Sequence, residues 1–254
     1  FGFNSFYFKL FLKLNILITR WWIVMVNQFL AELFGTALLI LLGDGVVANI
    51  ALKKTKGNSA DLIVVTVGWA IAVAIPVYIF SRVSGAVFNP AVTIALGITG
   101  GLTWNQVIVF CIAQFIGAFI GAVLVYLTYY THFESTEDHD AKLGTFCTIP
   151  AIRNYKWNFF TEFIGTFVLM FGILGLGDAK MVDGIMPIAV GLLILVIGVS
   201  LGGPTGYAIN PARDFSPRLA HFLLPMKNKG GSDWAYAWRS EERRVGKECR
   251  SRWS

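Results

Sequence analysis

Charge is scarce in this chain. Only 14% of its 254 residues are Asp, Glu, Lys or Arg, whereas a soluble domain carries about a quarter. The formal charge of +6 arises at the two ends. Lys9, Lys13 and Arg20 stand without an acid in residues 1–24, and residues 239–254 set six bases against Glu241, Glu242 and Glu248, leaving 12 of each sign between. A neutral body gives no reason to invoke nucleic acid or an acidic partner. Cysteine is equally rare. Cys111 in an apolar run, Cys147 in a connection and Cys249 near the end make no disulfide framework. His132 and His139 are too sparse for a metal site, and His221 stands near a helix C-terminus, where it can interact with the dipole. Nucleotide-cradling glycine loop, catalytic triad and metal-ligand cluster are all lacking, so neither an enzyme nor a cofactor is expected.

Apolar residues fill the space that charge leaves. The chain is 56% hydrophobic with a mean hydropathy of +0.63. Apolar runs predict helices at 27–50, 61–80, 104–130, 157–177 and 185–201. Each is near the roughly 20 residues that cross about 30 Å of hydrocarbon. The class is therefore an all-α polytopic membrane protein. Two shorter helices are predicted at 90–98 and 211–222, too short to cross, so each dips in and stops. Residues 233–238 (DWAYAW) read as the start of one more span.

The two ends read as foreign. Residues 1–24 precede Met25 and are taken as a non-native upstream extension, the alternatives being an interfacial segment or an uncleaved leader. Residues 239–254 (RSEERRVGKECRSRWS) resemble the translation of a sequencing adapter; the alternative is a basic cytoplasmic tail. On the adapter reading the sixth span is missing from this chain, and residues 25–238 are the domain.

Within that domain the sequence repeats. Residues 31–36 (AELFGT) return as 161–166 (TEFIGT), and 84–91 (SGAVFNPA) return as 205–212 (TGYAINPA). A full copy holds three spans plus one half-helix; the first is about 27–130 and the second, truncated, about 157–238, with an acidic connection at about 131–156 between them. Three is odd, so the second copy enters from the opposite side: an inverted repeat with two re-entrant half-helices.

The triplets Asn89-Pro90-Ala91 and Asn210-Pro211-Ala212 carry the chemistry. Asn is a good N-cap, and Pro at the first helical position loses only an N–H that would be unpaired anyway. Two such starts in opposed repeats can bring two helix N-termini together near the midplane. Each presents about half a positive charge, which repels cations but not neutral solutes. A water held by both carboxamide donors cannot accept from its neighbour, so a proton wire breaks there. The extended backbone before each helix is tolerable only beside a water-filled path or packed in protein.

These motifs resemble the aquaporin superfamily, and within it the glycerol-facilitator (aquaglyceroporin) branch, over roughly residues 27–238. The resemblance implies a right-handed six-span bundle, a homotetramer with one pore per subunit, both termini in the cytoplasm, and a bacterial-type plasma membrane as its site. It also implies a selectivity filter of Trp69, Gly198, Tyr207 and Arg213. Trp69 and Tyr207 offer an apolar corner to a polyol's carbon edge. Arg213 donates to hydroxyls and adds to the cation barrier, and Gly198 leaves room. Water-selective members usually have His where Gly198 stands, and Asp214 matches the glycerol branch. Tyr207 departs from Phe; its hydroxyl either narrows the pore or turns outward.

Glu32, Glu162 and Asp214 are assigned structural support, the two glutamates accepting hydrogen bonds from the re-entrant backbone, with proton carriage as their alternative. Asp44 has no assigned role and is expected to face water. The function expected is passive passage of glycerol, other small neutral solutes and water through a lipid bilayer, with ions and protons excluded. A water-selective channel is the rival, followed by a proton-coupled carrier and a membrane adhesion protein.

Overall fold

The computed structural model describes residues 2–238, with side chains over 19–237. The expected adapter-derived tail lies outside the described residues. All regular structure among them is helical. The first helix, α1, spans Gly2–Ala51, where the apolar pattern predicts a start near 27. The reason is the lack of a breaker: the first proline of the chain is Pro76. A membrane-crossing stretch of α1 covers Thr19–Ala51.

Three further helices are long and apolar enough to cross: α2 (Leu62–Ser84), α4 (Trp104–Thr128) and α7 (Tyr155–Asp178). The fifth, α8 (Met186–Leu201), has 16 residues, which is about 24 Å of helix. Half-helices α3 (Pro90–Ile98) and α9 (Pro211–Leu223) start at the expected prolines. The last described element is the short α10, Trp234–Trp238.

Starts are set by side-chain caps. Asp61 accepts from the Ile63 N–H and Asn154 from the Trp157 N–H, while Thr103 and Gln106 form a reciprocal capping box on α4. The outer faces stay apolar, with Ile71, Ile108, Phe163, Phe167, Phe171 and Leu192 exposed. A surface of this kind suits a lipid solvent, where helices associate through close packing instead of water exclusion. Helix α4 approaches α1 at two glycines. A Cβ at Gly117 would lie 2.2 Å from the Leu33 carbonyl oxygen, and one at Gly121 would lie 2.4 Å from that of Ala37. Helices α2 and α8, equivalent members of the two repeats, also pack together.

The acidic connection is more ordered than its composition suggests. It folds into α5 (Tyr130–Ser135) and α6 (His139–Phe146), and Asp138 caps α6 by accepting from the Asp140 and Ala141 N–H groups at 2.9 and 3.1 Å. Phe133 stacks on Phe146 at 5.4 Å, and the buried Lys142 donates to the Lys227 carbonyl. Burial lowers the Lys142 ammonium pKa. It pushes the Cys147 thiol well above its ordinary value, which makes that cysteine inert.

Candidate pore and constriction

The two half-helices meet at their N-termini, and the two asparagines make the junction. Asn89 accepts from the Ala91 N–H at 3.0 Å, and its Nδ2 donates to the Ile209 carbonyl at 2.8 Å. Asn210 accepts from the Ala212 and Arg213 N–H groups at 3.1 and 3.2 Å, and its Nδ2 donates to the Phe88 carbonyl at 2.9 Å. Each carboxamide therefore caps its own helix and crosses to the opposite loop. Each NH₂ group carries two donor hydrogens, so one remains on each asparagine after the crossing bond.

The loops leading into these caps carry the same unusual backbone in both repeats. Ala86 and Phe88 have φ of 56° and 51°, and their counterparts Tyr207 and Ile209 both have 40°. Side-chain-bearing residues rarely occupy this region, at a cost of about 1–3 kcal/mol each. Buried carboxylates hold them there. Glu32 accepts from the Val87 and Phe88 N–H groups at 3.0 and 2.8 Å, from Ser84 Oγ at 2.6 Å and from Gln114 Nε2 at 2.8 Å. Glu162 accepts from the Ala208 and Ile209 N–H groups at 3.1 and 2.9 Å.

A cavity of about 750 Å³ runs along this junction. Its lining includes both asparagines, together with Trp69, Tyr207 and Arg213 and with Ser81, Arg82 and Gly184. Leu39, Val73, Val77 and Ile194 add apolar surface to it. The lumen is thus amphipathic, with carboxamide and guanidinium donors facing hydrocarbon.

The four residues expected to form a constriction lie near one another, but one of them, Gly198, does not line the cavity. Gly198 stands behind Tyr207: a Cβ on it would lie 2.8 Å from Tyr207 Cζ, 3.0 Å from its hydroxyl and 2.9 Å from Thr66 Cγ2. The room left by glycine is occupied by the tyrosine ring. The Tyr207 hydroxyl accordingly turns away from the lumen, buried and without a hydrogen-bond partner. Arg213 lies over the Trp69 ring, 4.1 Å from its centroid, and Nη1 donates to the Phe146 carbonyl at 3.3 Å. That carbonyl belongs to the connection between the repeats, whose sequence carries no signal for the site.

One acid is placed differently from the sequence expectation. Asp44 does not face water. It is fully buried, with Oδ1 3.5 Å from Arg213 Nη1. Asp214 serves Arg218 instead of its neighbour Arg213, binding Arg218 Nη2 at 3.0 Å and the Thr148 N–H and hydroxyl at 2.8 Å each. Arg218, not singled out in the sequence, is wholly buried and donates further to the Thr148, Ser232 and Asp233 carbonyls at 3.0, 3.0 and 3.2 Å. Its spacing four residues after Asp214 was the available signal. His221 is buried too, with Nδ1 2.8 Å from Ser232 Oγ.

Comparison with known proteins places this geometry. The model of the major intrinsic protein family matches residues 20–238. A "Probable glycerol uptake facilitator protein" of Thermotoga maritima is 58% identical over 212 residues, covering 84% of this chain and 91% of that protein. "Glycerol uptake facilitator protein 3" of Lactiplantibacillus plantarum is 52% identical, covering 83% of this chain and 88% of that one. The X-ray structure of the aquaglyceroporin from Plasmodium falciparum superposes with a TM-score of 0.75 at 32% identity, over 84% of this chain and 88% of that one.

Proposed function

The chain belongs to the major intrinsic protein family, and from that premise we propose a passive transmembrane channel for glycerol and other small neutral solutes, with water also passing. The observation that carries this reading is the amphipathic cavity, lined by both asparagines together with Trp69, Tyr207 and Arg213. A polyol has a carbon edge and a hydroxyl edge, and the wall offers a partner to each. Arg213 Nε and Nη2, which bond no acceptor among the described residues, serve the hydroxyls, while Trp69 and Tyr207 take the carbons. At the junction the facing helix N-termini repel cations, and the paired carboxamides orient passing oxygens so that no proton wire runs through.

Glu32, Glu162 and Asp214 are supporting groups in this reading. Glu32 is occupied by four donors, which suits a fixed acceptor better than a proton carrier. The water-selective alternative is not favoured, since the relatives are glycerol facilitators by name. Residues 25–238 form the channel domain on this reading, with repeats at about 27–130 and 157–238. The partners are the lipid bilayer and three further copies in a homotetramer.

Stopped-flow light scattering on proteoliposomes tests the function. Glycerol permeability should exceed that of empty vesicles, run equally in both directions and ignore a protonophore. Permeability no higher than empty vesicles would remove the glycerol reading, and uphill accumulation driven by pH would replace the channel with a carrier.

A further inference from the structure

Among the described residues, Asp44 is the one buried carboxylate that the pore chemistry above does not use. Helix α1 carries it directly behind the constriction. At the preceding residue, Gly43, a Cβ would lie 2.3 Å from Trp69 Cζ3, so the absence of a side chain there lets the helix backbone press against the filter ring. The Asp44 side chain is wholly buried, and neither of its oxygens receives a hydrogen bond from the protein. Its nearest cation is Arg213, with 3.5 Å between Oδ1 and Nη1.

An ionisable side chain inside a membrane domain, with a named partner, calls for a role. The neighbouring charges narrow what that role can be. Arg218 is committed to Asp214 and to three carbonyls. Asp214 is therefore spoken for, and Asp44 and Arg213 are left to balance each other. The guanidinium is fixed from three sides, by the Trp69 face, the Phe146 carbonyl and Asp44. Both the carbonyl and the carboxylate act at Nη1, which keeps Nε and Nη2 free for the lumen.

We propose that Asp44 is the positioning residue and counter-charge of the constriction, holding the Arg213 guanidinium by its Nη1 edge and cancelling its charge. The inference rests on the channel reading above and departs from the sequence expectation that Arg213 adds to the cation barrier. Arg213 then selects polyols by donating hydrogen bonds and adds no net positive barrier. Exclusion of cations falls to the facing half-helix N-termini. A constriction without net formal charge repels neither sign of ion by Coulomb force, and the desolvation that any ion meets there adds to the exclusion at the N-termini.

The test is the sign of ion selectivity in variants of the full-length channel, measured from reversal potentials in a potassium chloride gradient across planar bilayers. Asp44→Asn leaves a lone cation and should raise the chloride-to-potassium permeability ratio about tenfold, the factor equivalent to about 1.4 kcal/mol. Arg213→Val leaves a lone anion and should lower that ratio by a similar factor. The double variant Asp44→Val/Arg213→Val is neutral again and should return to the wild-type ratio. Opposite shifts that cancel in the double variant are not produced by a merely structural role, which would lower glycerol flux in every variant alike.

Should Asp44→Asn fail to fold, the comparison of Arg213→Val with the double variant still decides. Equal ion selectivity in those two would overturn the proposal, as would an unchanged ratio in folded Asp44→Asn. Wild-type glycerol flux from the same preparation separates the two readings. Flux present with no charge-dependent shift removes only the role of Asp44, whereas flux absent removes the channel reading and this inference with it.

Discussion

At position 198 a hydrogen atom stands where any side chain would collide with Tyr207. The sequence-based expectation gave this glycine to the solute, as room in the lumen. The packing gives the room to the tyrosine ring instead, with Thr66 closing the other side. Gly198→Ala should therefore push the ring toward the lumen, an overpacking that costs about 1–3 kcal/mol. Glycerol permeability should fall several-fold more than water permeability, measured side by side in the same vesicles. An equal fall in both would mean that the ring escapes elsewhere. Residues of this kind show the limit of reading a sequence. Asn89, Asn210, Trp69 and Arg213 announce themselves because polar or bulky groups break apolar runs at repeated positions. Asp44 also breaks a run, yet nothing in its spacing tells which side of α1 it takes, since its partner lies in the opposite repeat. Only the assembled bundle puts it beside Arg213.

At the scale of elements, the re-entrant loops are held in an unfavourable backbone by acceptors from neighbouring helices. The duplication is exact in position: Gly85, Ala86 and Phe88 in one loop match Gly206, Tyr207 and Ile209 in the other, all with positive φ. Glu162 supports its loop with two backbone N–H bonds. A glutamine there would keep one acceptor and turn an NH₂ group toward a second donor. Glu162→Gln should thus lower folded yield sharply, read by size-exclusion chromatography in detergent. Normal yield with loss of pH-dependent transport would instead favour proton carriage. Helix existence was legible almost throughout, because spans of about 20 apolar residues have few alternatives. The connection at 131–156 was not, because α6 forms on an Asp138 cap and two buried aromatics within a charged stretch. The extent of α1 escaped for the opposite reason, a long segment without a proline or a cap to mark its start.

For the molecule as a whole, Arg218 is the tie. It joins α9, the connection between the repeats and the segment leading to α10 through Asp214, Thr148, Ser232 and Asp233. Removing one member of a buried charge pair costs about 3–5 kcal/mol. Arg218→Met should lower the melting temperature in detergent accordingly, measured by scanning fluorimetry; an unchanged temperature would show that the tie is redundant. Arg153 adds a more exposed link to the same segment, bound to Asp233 Oδ2 at 2.6 Å, and this hydrogen bond raises the pKa of its guanidinium. The crossing asparagine bonds bear on how such a chain is made. The Phe88 carbonyl waits for Asn210, 122 residues later. At about 5–20 residues per second, that delay is roughly 6–24 s of synthesis. The first hairpin loop to enter the bilayer must spend that interval without its mate, so the nascent chain is most vulnerable to misassembly just before its second asparagine emerges.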